Sequence, residues 1–261
     1  MNLIFVRHGQ SLWNLENKFT GWVDVGLSDR GKKEAFLAGL KLKDAGFIPD
    51  ICYTSYLNRS KDTANIILEN LEKGKNFKIF NNWKLNERHY GALQGLDKIE
   101  TAKKYGEDQV HLWRRSFDVK PPSVDESSDQ NHKNDPVYKD VDRNLPVGES
   151  LKDVVQRVEG TLKNILLETN DFNVLVVAHG NSIRAMIKIL ENISDKEIAE
   201  VNIPTGLPLA FNIDGEKIER IGYLADENEL KKLEKEVKMQ SKVSSEAVSY
   251  THLTLPTILL V

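Results

Sequence analysis

Two short apolar runs in this chain each end in His-Gly, and that pairing constrains the fold more than any other feature. Leu3-Ile4-Phe5-Val6 precedes Arg7-His8-Gly9, and Val174-Leu175-Val176-Val177-Ala178 precedes His179-Gly180. Short continuous apolar runs without helical spacing predict strands buried on both faces, as in a parallel sheet flanked by helices. In open α/β sheets ligands bind at the carboxyl ends of the strands, so both imidazoles are expected to face one crevice. The glycines allow sharp turns and close approach of the backbone to a ligand. The segments that follow, Gln10-Ser11-Leu12 and Asn181-Ser182-Ile183, are expected to present free backbone N–H groups, which favour anions.

Strand and helix signals alternate along much of the chain. Ser28 is a candidate N-cap, Ala35, Ala38, Leu42 and Ala45 recur at helical spacing, and Gly46 and Pro49 mark a stop. Ile51-Cys52-Tyr53 predicts a strand, with a helix from about Arg59 to Glu72 behind it. Leu151, Val154, Val155, Val158, Leu162 and Ile165 predict an amphipathic helix ahead of the second His-Gly. Phe211 to Ile221 reads as a closing hairpin around Asp214-Gly215, and Glu227 to Lys238 as a charged helix. The expected fold is α/β, a three-layer sandwich with a mostly parallel central sheet and helices on both faces. The stretch 85–145 breaks the alternation, and its part from Pro121 to Asn144 is polar and contains Pro121, Pro122 and Pro136. It is expected to be a helical and loop cap inserted in one domain spanning 1–242. Residues 243–261 end in an uncharged apolar run shorter than the ~20 residues a bilayer span needs; they are expected to be a tail foreign to the fold.

Lysine and arginine total 36 against 39 acidic residues, a formal charge of -3. No basic excess points to nucleic acid, so any anion site must be local. Cys52, the single cysteine, is expected to be a small buried hydrophobe, and one thiol makes neither a disulfide framework nor a metal cage. The N-terminal apolar run is too short for a signal peptide, so cytoplasmic residence without a membrane partner is expected. No two of the six histidines stand at metal-ligand spacing on an apparent helix, and no metal is expected.

Arg7 beside His8 offers forked donors that match phosphate oxygens. Arg59, at the start of the helix after the Ile51 strand, falls at the same carboxyl edge. Around these residues the chain resembles a known family. The segments Arg7 to Asn14, Thr20-Gly21-Trp22, Leu85 to Gly95 and Ala178 to Ser182 resemble the bisphosphoglycerate-dependent phosphoglycerate mutases of the histidine phosphatase superfamily. The likeness runs from about Asn2 to about Asp226 and takes in Trp113-Arg114-Arg115 and Asn202 to Gly206. Arg-His-Gly alone indicates the superfamily; the Glu87 to Gly95 run and the Arg114-Arg115 pair indicate the mutases.

The resemblance implies interconversion of 3-phosphoglycerate and 2-phosphoglycerate through a phosphohistidine primed by 2,3-bisphosphoglycerate, without a metal, in a homo-oligomer, dimer or tetramer. It implies His8 as nucleophile and Glu87 as general acid and base. His179, Arg7 and Arg59 would stabilise the phosphoryl group in flight. Substrate contacts would fall to Gln10, Ser11, Asn14, Thr20, Gly21, Arg88, His89, Tyr90, Lys98, Arg114, Arg115, Gly180 and Asn181. Gln10 stands where many relatives have glutamate and Asn58 where lysine is common, departures expected to tune the site rather than abolish it. A phosphatase or a bisphosphoglycerate synthase on the same fold stays open. A noncatalytic phospho-ligand module is disfavoured, because His8, Arg59, Glu87 and His179 are all present.

Overall fold

A computed structural model describes residues 1–72, 74–141 and 145–241. The expected tail over 243–261 lies outside the described residues. Among the described residues six strands form one sheet: β1 (Leu3–Arg7), β2 (Ile51–Thr54), β3 (Lys78–Asn81), β4 (Val174–Ala178), β5 (Leu209–Asp214) and β6 (Lys217–Tyr223), in the order β3-β2-β4-β1-β5-β6. The β3, β2, β4 and β1 neighbours pair parallel, whereas β5 runs antiparallel to both β1 and β6. The helices are α1 (Leu12–Leu15), α2 (Asp29–Asp44), α3 (Asn58–Leu71), α4 (Lys98–Tyr105), α5 (Glu107–Arg115), α6 (Leu151–Glu168), α7 (Gly180–Glu191) and α8 (Glu227–Ser241).

The three layers follow from the period of two along each strand. Leu3 and Phe5 of β1, with Val174 and Val176 of β4, join one core filled by Leu151, Val154, Val158, Leu162 and Ile165 of α6 and Ile183, Met186 and Ile187 of α7. Ile4 and Val6, with Leu175 and Val177, join the opposite core with Ala38 and Leu42 of α2 and Ala64, Ile67 and Leu68 of α3. Cys52 lies in this second core, fully buried, and burial pushes its thiol up to about 12. Ser28 caps α2 as its sequence position suggests, its hydroxyl accepting from the Gly31 N–H at 3.0 Å.

Gly9 is needed for a reason the sequence does not display. A Cβ there would lie 2.1 Å from the Gly31 carbonyl oxygen, and one on Gly31 would lie 2.1 Å from that of Gln10. This pair of glycines therefore lets the loop after β1 rest directly on the first turn of α2. The edge strand β3 has no clear sequence signal, because all four of its residues are exposed and no buried face imposes a pattern.

The 85–145 stretch carries α4 and α5 and shares with Phe19 a small core of its own, made of Leu93, Ala102, Val110 and Trp113. At the far end of the chain α8 is tied to α2 by Lys41 to Glu229 at 2.7 Å and by Arg30 to Glu236.

Candidate active site

The register of two parallel strands brings the histidines together. Arg7 pairs with Ala178 across β1 and β4, and the His8 N–H donates to the Ala178 carbonyl at 3.0 Å. Both histidines thus leave the sheet at one level on adjacent strands, and their ring centroids lie 4.8 Å apart, close to the spacing of about 4.8 Å between neighbouring strands.

His8 is held in one tautomer. Its Nδ1 lies 2.7 Å from the Gly9 carbonyl oxygen, which only accepts, so the ring proton sits on Nδ1 and Nε2 keeps its lone pair. Burial, then Arg59, then Arg7 hold the imidazole well below its ordinary range. A neutral histidine with an unprotonated Nε2 is a nucleophile. His179 is buried outright, and burial, Arg59, His8 and Arg7 hold it low as well. These surroundings favour the neutral ring. Its Nε2 shares a hydrogen with Ser55 Oγ at 2.8 Å, and its Nδ1 has no partner.

Arg7 and Arg59 flank this pair, each anchored by its outer nitrogens. Arg7 Nη1 donates to the Ile203 carbonyl at 2.8 Å. Arg59 Nη1 and Nη2 donate to the carbonyls of Val23 at 3.0 Å and Gly21 at 2.7 Å. In both guanidinium groups Nε is buried without a partner. Buried donors left unmade are costly, typically by about 1–3 kcal/mol, and an anion beside His8 relieves that cost.

Glu87 closes the site from the 85–145 stretch. Its Oε1 accepts from the N–H groups of Arg88 at 2.8 Å and Asn181 at 3.1 Å and from Asn181 Nδ2 at 2.9 Å. A Cβ at Gly180 would lie 3.5 Å from Arg7 Nε and 3.7 Å from Glu87 Oε2, so the first residue of α7 sits between the carboxylate and the guanidinium.

The cavity in front of His8 collects positive charge although the chain as a whole is acidic. Arg7, Arg59, Lys98, Arg114, Arg115 and Arg184 line it together with Lys18, and among the described residues Glu87 is the one carboxylate of the lining. Burial, Arg114 and Arg7 hold the Lys98 ammonium well below its usual value, and burial takes Arg114 down to about 10 and Arg184 to about 9. These cations repel one another where water is scarce, and a polyanion is the ligand that resolves the repulsion.

Of the residues expected from the sequence, Asn14, Thr20, Gly21, Tyr90, Gly180 and Asn181 join the lining. Arg88 stands just behind it, its guanidinium 4.6 Å from the Tyr90 ring centroid and its Nη2 committed to the carbonyls of Trp113 and Arg114. Gln10 and Ser11 are structural at this point: Gln10 Oε1 accepts from the Ser28 hydroxyl at 2.9 Å, and Ser11 caps α1 through Asn14. The structure does not bring His89 to the cavity. Its Nδ1 accepts from the Gly91 N–H at 3.0 Å and its ring packs on Trp22 and His132, so the side chain points into the wall.

Several lining residues were missed by the sequence reading. Arg184 follows Asn181 by three positions on α7, a spacing that puts both on one helix face, and that was the available signal. Lys18, Val201 and Val237 carry none, since they arrive from a loop, another loop and α8. Among the described residues no group of histidine, cysteine, aspartate or glutamate could hold a metal ion, and no helix is long and apolar enough to cross a membrane.

Known proteins resemble the chain over most of its length. The model of the histidine phosphatase superfamily (branch 1) matches residues 3–144 and 127–219. The 2,3-bisphosphoglycerate-dependent phosphoglycerate mutase of Borreliella afzelii is 50% identical over 250 residues, covering 92% of this chain and 98% of its own. The enzyme of the same name from Hydrogenobaculum sp. is 48% identical over 244 residues, with the same coverage of 92% and 98%. In fold the chain is similar to the alpha-ribazole phosphatase of Shigella flexneri, with a TM-score of 0.64 at 19% identity over 86% of this chain and 96% of that one.

Proposed function

The chain belongs to the histidine phosphatase superfamily and, within it, to the 2,3-bisphosphoglycerate-dependent phosphoglycerate mutases, and from that premise we propose that it interconverts 3-phosphoglycerate and 2-phosphoglycerate through a phosphohistidine on His8. The observation that carries the assignment of His8 is its tautomer, with Nδ1–H on the Gly9 carbonyl and Nε2 bare, in a cavity also lined by Arg7 and Arg59, whose Nε atoms are unpartnered. When bound, 2,3-bisphosphoglycerate supplies the phosphoryl group that primes the enzyme. Its anionic ends suit the unpartnered Nε donors of Arg7 and Arg59.

His8 Nε2 attacks phosphorus in line, forming the P–N bond as the P–O bond to the glycerate oxygen breaks. Glu87 Oε2 delivers its proton to that departing oxygen, and on the return step takes the proton of the acceptor hydroxyl while His8 releases the phosphoryl group. Arg7 and Arg59 neutralise the equatorial oxygens, which is most of what phosphoryl transfer requires. The 85–145 stretch acts as a cap that keeps water from competing with the acceptor hydroxyl. Cytoplasmic residence and assembly as a homo-oligomer go with the family and are part of the proposal.

Incubation with labelled 2,3-bisphosphoglycerate is expected to place label on His8 as an acid-labile, alkali-stable adduct, and conversion of 3-phosphoglycerate is expected to require a trace of that compound. Label on serine, or on His179 with His8 unmodified, would overturn the assignment.

Arg114 and Arg115 are assigned to the end of the substrate remote from His8. Arg115 also ties the loop beside it, donating to Asn202 Oδ1 at 2.9 Å and the Ala199 carbonyl at 3.3 Å, so thermal melting accompanies the assays of any variant at this pair. Replacing both by alanine is expected to lower kcat/KM for phosphoglycerate by about 10²-fold or more, given roughly 1.5–3 kcal/mol per charge-assisted hydrogen bond. Hydrolysis of a small phosphate ester without a carboxylate should be spared. Equal loss of both activities would assign the pair to the reaction centre and leave a general phosphatase as the better reading.

A further inference from the structure

Glu87 is gripped through one oxygen only. Oε1 accepts three N–H donors, from Arg88, the Asn181 backbone and Asn181 Nδ2. Three donors exhaust what one carboxylate oxygen accepts well, so a proton is exchanged at Oε2, the oxygen on the Gly180 and Arg7 side. This division of labour requires Asn181 to turn its NH2, not its carbonyl, toward Glu87. The two orientations of an amide have nearly the same shape, so shape alone does not choose between them.

The partner on the other side does choose. Arg184 lies three residues further along α7, buried, with Nη1 on Asn181 Oδ1 at 3.3 Å and Nη2 on the Ile198 carbonyl at 3.0 Å. A guanidinium has donors and no acceptor, so a flipped amide would meet Arg184 donor to donor and Glu87 acceptor to acceptor. We infer that Arg184 is a positioning residue that sets the amide orientation of Asn181 and thereby leaves Glu87 Oε2 as the oxygen that gives and takes the proton. This rests on the role proposed above for Glu87.

The test is a cycle of four proteins, the wild type, Arg184→Met, Asn181→Ala and the double variant, with Arg184→Lys as the conservative replacement. Turnover of 3-phosphoglycerate is measured at saturating 2,3-bisphosphoglycerate, and thermal melting checks that each variant is folded. Arg184→Met is expected to lower kcat roughly 10- to 100-fold, the loss for one charge-assisted hydrogen bond, with KM within about twofold. Arg184→Lys, which restores one donor, should recover most of the rate. In the Asn181→Ala background the methionine change should cost no more than about twofold further. A full loss in that background, or a raised KM at unchanged kcat, would mean that Arg184 acts on the substrate or the fold directly and would overturn the inference. So would a folded lysine variant as impaired as the methionine one. The side-chain amide resonances of Asn181, followed by NMR in the substrate-free protein, should move in Arg184→Met and return in Arg184→Lys. That readout needs no turnover, so an inactive wild type would defeat the proposed reaction while leaving the positioning role separately decided.

Discussion

Glu87→Gln is expected to lose turnover by about 10²- to 10⁴-fold, the range for a positioned acid or base, while His8 still accepts label from bisphosphoglycerate, more slowly but to the same final extent. The substitution is nearly isosteric. A glutamine Oε1 still accepts from Arg88, Asn181 N and Asn181 Nδ2, and its amide nitrogen takes the place of Oε2. The nucleophile, the arginines and the wall of the cavity are left as they were; only the group that exchanges the proton is gone. The rate of turnover and the final extent of labelling should therefore separate, and end-point labelling beside steady-state assays measures both. Turnover within a few-fold of wild type would mean that another group, or water, handles the proton.

Arg157→Met is expected to cost roughly 3–5 kcal/mol of stability, the range for breaking a buried ion pair from one side. Arg157 and Glu149 pair at 2.7 Å with side chains only 6% and 4% exposed. The guanidinium also donates to the carbonyls of Lys84 at 2.7 Å, Asn86 at 3.1 Å and Glu87 at 3.2 Å, and Glu149 accepts from the His89 N–H at 2.8 Å. This one pair therefore fixes the backbone on both sides of Glu87. Without Arg157 the Glu149 carboxylate is left buried without its cation, and several carbonyls lose their donor. Urea unfolding gives the stability change. Replacing Glu149 by glutamine in the same chain should recover part of the loss, since it removes the uncompensated charge. A change within about 1 kcal/mol would show that the segment from Lys84 to His89 is held by its other contacts.

Much of the fold was legible because its signals are local. An apolar run without helical period identifies β1, β2 and β4 from about three to five consecutive residues, a serine before a periodic helix identifies the start of α2, and apolar period alone identifies α6. The strand-end residues His8 and His179 could be placed at one crevice because a parallel sheet has one carboxyl edge. The weak edge strand β3 was invisible for the complementary reason: a strand with no buried face has no pattern to read.

The chain order alone thus determined which residues reach the sheet edge: the two histidines, Arg7, Arg59 and the helix start at Gly180. It was silent on how they are wired. The tautomer of His8, the contact of His179 with Ser55, the retreat of His89 into the wall, the orientation of Asn181 and the grip of Arg157 on the Glu87 backbone all depend on which donor meets which acceptor at about 3 Å. Those partners come from positions far apart in the chain, as Asn181 and Glu87 do at a separation of 94 residues. Periodicity reports whether a side chain points inward, because burial is a property of one residue on one element. Which hydrogen bond it makes there is a property of two, and only the packed tertiary structure brings the second one into place.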